Sequence, residues 1–247
     1  MKRSVLKTLL SILILLGSFS PLISAPTKAN NRSKGVHTLY LIRHGDYNHK
    51  DLRDPFTGKG LIPLGIAQAR LVAWRLRAIP VRYTNLYSST MRRAVETAMV
   101  INKDFPYLKL QKFPILSECT PPTWRADVMR KISLEKAKKC SARLDEAFKR
   151  FFKPTPDKDT NDIVVCHGNV IRYFVTKVLG VNTLSWLRMS IHNCSLTVVK
   201  IYSDGAMKLV SFNDIGHIPP NMQTHTGGKK KPLIIEYDSS TAVPATK

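Results

Sequence analysis

Apolar residues run from Val36 to Ile42 and stop at Arg43, His44 and Gly45, the pattern of a buried strand that delivers polar side chains to solvent at its end. A second run, Ile163 to Val165, ends the same way in Cys166, His167 and Gly168. Between and after them, periodicity alternates between strand and helix. Pro63–Ala78 reads as a helix with proline in its first turn and an apolar face of Leu64, Ala67, Leu71, Trp74 and Leu76 to Ile79. Leu86–Ser88 reads as the end of a short strand, and Thr90 as the cap of a helix reaching Val100, with Ala94, Val95, Ala98 and Ile101 inward. Leu108–Phe113 is a further strand, followed by an irregular, proline-rich stretch from Pro114 to Pro122. Ser133 opens a long amphipathic helix on Leu134, Ala137, Cys140, Leu144, Ala147, Phe148 and Phe151 that ends near Pro154. Another helix is expected over Asn169–Leu179, then strands Asn193–Tyr202 and Ala206–Phe212 joined tightly through Asp204 and Gly205. Alternating units followed by an antiparallel pair predict an α/β fold. The expected form is a three-layer α/β/α sandwich with a mostly parallel central sheet and an antiparallel edge.

At 247 residues with 43% hydrophobic content the chain is long enough to bury a substantial core. Its formal net charge of +22 favours phosphate-bearing or otherwise acidic surfaces, leaving phosphoprotein, anionic membrane and nucleic acid open. The basic residues are dispersed apart from Lys229 to Lys231, and no zinc-finger or aromatic RNA-binding pattern organises them, which argues against specific nucleic-acid reading. Residues 1–29 read as a targeting segment, with Lys2, Arg3 and Lys7 ahead of an apolar stretch from Leu9 to Leu16. Export to a periplasmic or secreted location after signal-peptide cleavage is the expectation, with an uncleaved membrane anchor as the alternative. Residues 30–35 are a polar linker, 36–220 the domain, and 221–247 a basic, disordered tail. Cys119, Cys140, Cys166 and Cys194 lack metal-ligand spacing; the latter two lie in apolar runs, and at most one disulfide is expected.

In an open α/β sheet ligands gather at the carboxyl ends of strands, so two strand-end histidines are candidates for one site. His44 there can be a nucleophile, a base or a buried polar group, and Gly45 would let backbone approach a ligand. Gly168 and Asn169 open a helix behind His167, and free amides at such an end suit a phosphate oxygen. The segment Ser88 to Ala94 is a third strand end running into a helix. Arg92 and Arg93 point about 100° apart around that helix, so one faces the sheet edge and the other solvent.

Arg43-His44-Gly45, Ser88 to Ala98 and His167-Gly168 resemble, in order and spacing, the phosphoglycerate mutase-like branch of the histidine phosphatase superfamily. The resemblance spans residues 36–220 and includes Pro63, Leu64, Gly65, Gln68 and Ala69; Ile62 stands where family members carry a capping threonine. The run from His167 to Phe174, with Trp186, Leu187, Arg188, Gly216, Pro219 and Pro220, is similar to the mitochondrial serine/threonine protein phosphatases of the mutase family. The resemblance implies that His44 takes up a phosphoryl group while Arg43, Arg93 and His167 bind its oxygens, with Gly168 and Asn169 also on the substrate side. Glu118 would protonate the leaving group and later activate water. No cofactor and no metal would be required. Asp214 and His217 match a late motif of the family and read as ties between the last strand and the core.

A phosphatase acting on phosphoserine or phosphothreonine proteins is therefore expected. Hydrolysis of small phosphate esters, a mutase and an inactive phosphate-recognising module are the alternatives. The spacer of 24 residues between Arg93 and Glu118 is shorter than mutases carry, which favours an open pocket and hydrolysis. Oligomeric state is not legible.

Overall fold

The computed structural model describes residues 34–155 and 157–225. The expected leader (1–29), most of the linker, and residues 226–247 with their lysine cluster lie outside them. No helix among the described residues is long and apolar enough to cross a membrane.

The elements in chain order are β1 (His37–Arg43), α1 (Pro63–Arg77), β2 (Asn85–Ser89), α2 (Arg92–Asn102), β3 (Leu110–Phe113), the short α3 (Ala126–Met129), α4 (Leu134–Phe151), β4 (Thr160–Cys166), α5 (Gly168–Val178), β5 (Leu196–Ile201) and β6 (Met207–Asp214). They form one six-stranded sheet in the order β3-β2-β4-β1-β5-β6. The first four in that order run parallel, and β5 and β6 form the antiparallel edge. One core cluster packs α1 and α2 against Tyr40, Ile42, Leu86, Ile163 and Val165. The other packs α4 and α5 against Leu39, Leu41, Val164 and Cys166. Alternation along β1 and β4 thus feeds both faces, completing the expected sandwich.

The sheet order positions the site. Chain order separates β1 from β4 by more than a hundred residues, yet they are neighbours in register, with Arg43 opposite Cys166. The next residue on each strand is a histidine, so pairing alone brings His44 and His167 side by side.

Several local expectations shift. The buried stripe of α1 is Gly65, Gln68, Ala69, Val72, Ala73 and Leu76, and Trp74 is exposed. Small residues win that face because α1 lies close to the strand-end loop: a Cβ on Gly65 would collide with the Asp46 carbonyl oxygen. Likewise a Cβ on Gly45 would lie 2.5 Å from the Gly65 carbonyl oxygen, so Gly45 answers to this backbone crossing rather than to a ligand. Met91, not Thr90, is the N-cap of α2, and its side chain makes no cap bond. Thr90 Oγ1 instead meets Ser117 Oγ at 3.2 Å. Ser133 does cap α4, accepting from the Lys136 N–H, an interaction worth about 1 kcal/mol. Leu134 lies outside the buried stripe of α4.

Strand β5 starts at Leu196, after Cys194 turns left-handed (φ 52°) to donate its N–H to the Arg43 carbonyl. The β5–β6 turn closes over three residues, Ser203 to Gly205, with Gly205 at φ 87° and the Tyr202 N–H donating to the Ala206 carbonyl. The fold continues past Pro220, where a short 3-10 turn leads to Thr224, whose carbonyl accepts from the Asn193 N–H.

Candidate active site

Arg43, His44, Arg93 and His167 converge at the carboxyl ends of β1 and β4 and the start of α2, and all four are buried. The His44 and His167 ring centroids lie 5.1 Å apart. The backbone of His44 is fixed by the sheet: its N–H donates to the Cys166 carbonyl, and its own carbonyl accepts from Asn193 Nδ2 at 2.9 Å. Its ring is fixed too. Nδ1 lies 2.8 Å from the Gly45 carbonyl oxygen, which can only accept, so Nδ1 carries the proton. The unprotonated Nε2 faces Arg93 Nε at 3.1 Å.

Electrostatics favour the uncharged ring. Burial first, then Arg93, His167 and Arg43, hold the His44 pKa well below the ordinary imidazole value. His167 is likewise held well down by burial, with Arg93, Arg43 and Arg143 adding to it. Neutral His167 acts through hydrogen bonding rather than charge: one ring nitrogen, Nε2, meets Ser89 Oγ at 2.8 Å, and the other, Nδ1, is buried without a protein partner. Arg43 donates from Nη1 to the Ile191 carbonyl, leaving its Nε buried and unpartnered. Of the two tandem arginines, Arg93 faces the site. Arg92 is partly exposed but not free, since it pairs with Glu96 at 2.6 Å and donates to the Thr57 carbonyl.

Glu118 lies on the irregular segment after β3, and its Oε1 is a third buried polar atom without a partner. Burial raises its pKa above the usual carboxylate value despite opposition from Arg93, Arg172 and Arg43. A carboxyl whose pKa burial raises, in the field of the same arginines as an imidazole whose pKa is depressed, shows the shift directions that a general acid and a nucleophile require. Three groups hold the segment. Arg143 on α4 donates to the Ser117 carbonyl at 2.7 Å, and Asn169 Nδ2 on α5 donates to the Cys119 carbonyl at 2.8 Å. Cys119 is disulfide-bonded to Cys140 on α4, with Cα atoms 5.8 Å apart. Closing this loop, with a sequence separation of 21, contributes about 3 kcal/mol on a chain-entropy basis. Cys166 and Cys194 are free and buried.

Asn169 therefore faces the acid segment on two sides, by its amide and by a backbone N–H directed at the Glu118 carboxylate. Its Oδ1 accepts from Arg172 Nη2 at 2.7 Å, and the Arg172 guanidinium packs on the Trp186 ring. Gly168 has a tight fit: a Cβ there would lie 3.1 Å from Ile191 and 3.4 Å from Arg43 Nε. His217 Nε2 bonds the Cys194 carbonyl and Asp214 pairs with Arg75, tying the last strand inward.

Four further side chains complete the site, two of them, Ser89 and Thr97, within the Ser88–Ala98 segment that carries the resemblance. Tyr47 packs against the Arg93 guanidinium (4.8 Å) and the His44 ring (5.3 Å). Thr97 accepts from the Gly45 N–H and donates to the Arg93 carbonyl, coupling α2 to the strand end. Ser89 supports His167, and Arg143 flanks Cys140 one turn along α4.

The chain matches the model of the histidine phosphatase superfamily (branch 1) over residues 39–133 and 121–215. It is 37% identical over 201 residues to the mitochondrial serine/threonine-protein phosphatase Pgam5 of Caenorhabditis elegans, covering 79% of this chain and 69% of that one. Against the Homo sapiens counterpart the identity is 28% over 205 residues, covering 79% and 68%. Among solved structures, a phosphoglycerate mutase from Plasmodium falciparum superposes with a TM-score of 0.54 at 28% identity, covering 75% of this chain and 95% of that one. The names of the curated relatives place them in mitochondria, which overturns the expectation of a signal peptide and of an exported, periplasmic or secreted protein. The physical reason lies in composition: residues 1–33 are basic, serine-bearing and free of acidic residues, features that export and mitochondrial leaders share.

Proposed function

The chain belongs to the histidine phosphatase superfamily, and on that premise we propose that it hydrolyses phosphoserine and phosphothreonine in proteins through a phosphohistidine on His44. Nε2 of His44 attacks phosphorus as the bond to the serine oxygen breaks. Glu118 gives its proton to the departing alkoxide. Arg43, Arg93 and the uncharged His167 hold the non-bridging oxygens, whose charge is largest in the in-line transfer. Glu118, now a carboxylate, takes a proton from water as the water oxygen attacks the phosphohistidine. Inorganic phosphate leaves, and His44 and Glu118 return to their starting states.

The observation that carries this reading is the fixed His44 tautomer, with Nδ1 bound to the Gly45 carbonyl and Nε2 turned toward Arg93. A nucleophile must present an unprotonated nitrogen, and an anion must meet a cation where it arrives; both conditions hold at one atom. The relatives' names support a phosphoprotein substrate and a mitochondrial address. The net charge of +22 supports attraction to acidic surfaces, whether phosphoprotein segments or anionic membranes.

Rapid quenching of the protein with a radiolabelled phosphoserine peptide, with chelator present, tests the proposal. An acid-labile, base-stable phosphoryl group on the peptide containing His44 is expected, formed before phosphate release. Turnover without such an adduct excludes the covalent route. Turnover of small phosphate esters alone would move the substrate class from proteins to metabolites.

A further inference from the structure

Glu118 sits on a segment that belongs to no strand or helix, so no ladder of backbone bonds fixes it. Its neighbours on both sides are tied to α4. Arg143 holds the Ser117 carbonyl, and Cys140, three residues earlier on α4, holds the sulfur of Cys119. Residues three apart on a helix share a face, so the two ties bracket the acid from one support. The Asn169 amide secures the Cys119 carbonyl from α5, and Arg172 fixes that amide in turn. Of these ties only the disulfide is covalent, and it lies on the residue directly after Glu118. Cys140 is buried while Cys119 keeps accessible surface, so a thiolate approaches the bridge from the Cys119 side.

We propose that the Cys119–Cys140 disulfide positions the general acid, and that its reduction by a thiol of the glutathione class selectively slows phosphoesters whose leaving groups need a proton. The first thiolate bonds to one sulfur of the bridge and releases the other as a thiolate. A second thiolate displaces the remaining protein sulfur, and the reductant departs as its own disulfide. Two electrons and two protons end on Sγ of Cys119 and Cys140. Once the bridge is open, the Arg143 bond to Ser117 and the Asn169 bonds remain, but no covalent tie sets the distance of the carboxyl from the leaving oxygen. His44, Arg43 and Arg93 hang on the sheet and α2, which the bridge does not touch.

This inference rests on Glu118 being the acid, and the test separates the two. Oxidised protein, protein reduced with dithiothreitol and alkylation-checked by mass spectrometry, Cys119→Ser/Cys140→Ser and Glu118→Gln are compared on a phosphoserine peptide and on p-nitrophenyl phosphate, whose phenolate leaves without protonation. Reduction is expected to lower kcat on the peptide at least about tenfold, with little change in KM, and to alter p-nitrophenyl phosphate turnover less than about twofold. Reoxidation should restore the peptide rate, and the double variant should match reduced protein and ignore reductant. Should the variant fail to fold, the reduced natural chain, checked by circular dichroism, supplies the same readout. Equal loss on both substrates, no loss on either, or unfolding on reduction overturns the proposal. If Glu118→Gln spares the peptide rate, the acid assignment itself fails; if it shows the selective loss and reduced protein does not, only the role of the disulfide falls.

Discussion

Two buried histidines stand seven residues apart at opposite ends of β1, and their surroundings give them opposite charge preferences. At the amino end, burial disfavours a charged His37, but hydrogen bonds to Asp162 (3.0 Å) and the Lys153 carbonyl (2.7 Å) outweigh it and leave the pKa raised. At the carboxyl end, burial and cations act together on His44, and its pKa is driven well down. One strand thus favours the charged form of the side chain at its amino end and the uncharged form at its carboxyl end. What differs is the neighbour: a carboxylate from β4 faces His37, while the arginine of α2 and its own neighbour Arg43 face His44. Parallel pairing of β1 with β4 sets both environments, since Asp162 and His167 lie on and just beyond the same strand.

Substitutions can break each end separately. The largest effect is expected for His44→Ala, which should lower kcat/KM on a phosphoserine peptide by about 10⁴-fold or more, as removal of a covalent nucleophile does. An unaltered rate would remove His44 from the chemistry. Arg93→Ala should cost about 10²- to 10³-fold in kcat. Because Arg93 depresses the His44 pKa, its loss should also move the acidic limb of the pH–rate profile to higher pH; a limb that stays put would detach that limb from His44. Glu118→Gln should lower kcat on the peptide by about 10²-fold and abolish an alkaline limb expected from loss of the Glu118 proton, which burial shifts upward.

The smallest effect belongs to the other end. Asp162→Asn should leave kcat near its natural value while lowering Tm, measured by calorimetry. A raised folded pKa means that the His37 contribution is complete below the unfolded value of about 6.5 and fades as pH rises through the folded value. The Tm difference between natural protein and variant should therefore be larger at pH 5.5 than at pH 8.5. A difference that grows with pH would reverse the assignment of charge at His37.

Periodicity made the layers legible, because strand and helix periods alternate cleanly and each buried face repeats. The end of β1 at His44 and of β4 at His167 could be read for the same reason. Nothing in the period placed β4 beside β1 rather than elsewhere in the sheet, so the meeting of the two histidines rested on the family motif. The choice of Arg93 over Arg92 rested there too, since the helical angle separates the pair without saying which faces inward. Tyr47 and Arg143 act through tertiary approach and leave no local pattern, whereas Thr97 and Arg172 lie in the segments that carry the resemblance, whose spacing does not show what they touch. The Cys119–Cys140 pairing depends on how the segment after β3 crosses α4, which spacing does not encode. The helix start at Asn169 is legible from its sequence, but the bond from its side-chain amide to the Cys119 carbonyl is not.

Nuclear magnetic resonance of the ¹⁵N-labelled imidazoles across a pH titration tests the central claim most directly. At pH 6 the His44 ring should be neutral, protonated at Nδ1 and bare at Nε2, while His37 is already protonated. A His44 that titrates at or above the ordinary imidazole value, or that carries its proton on Nε2, would contradict the account.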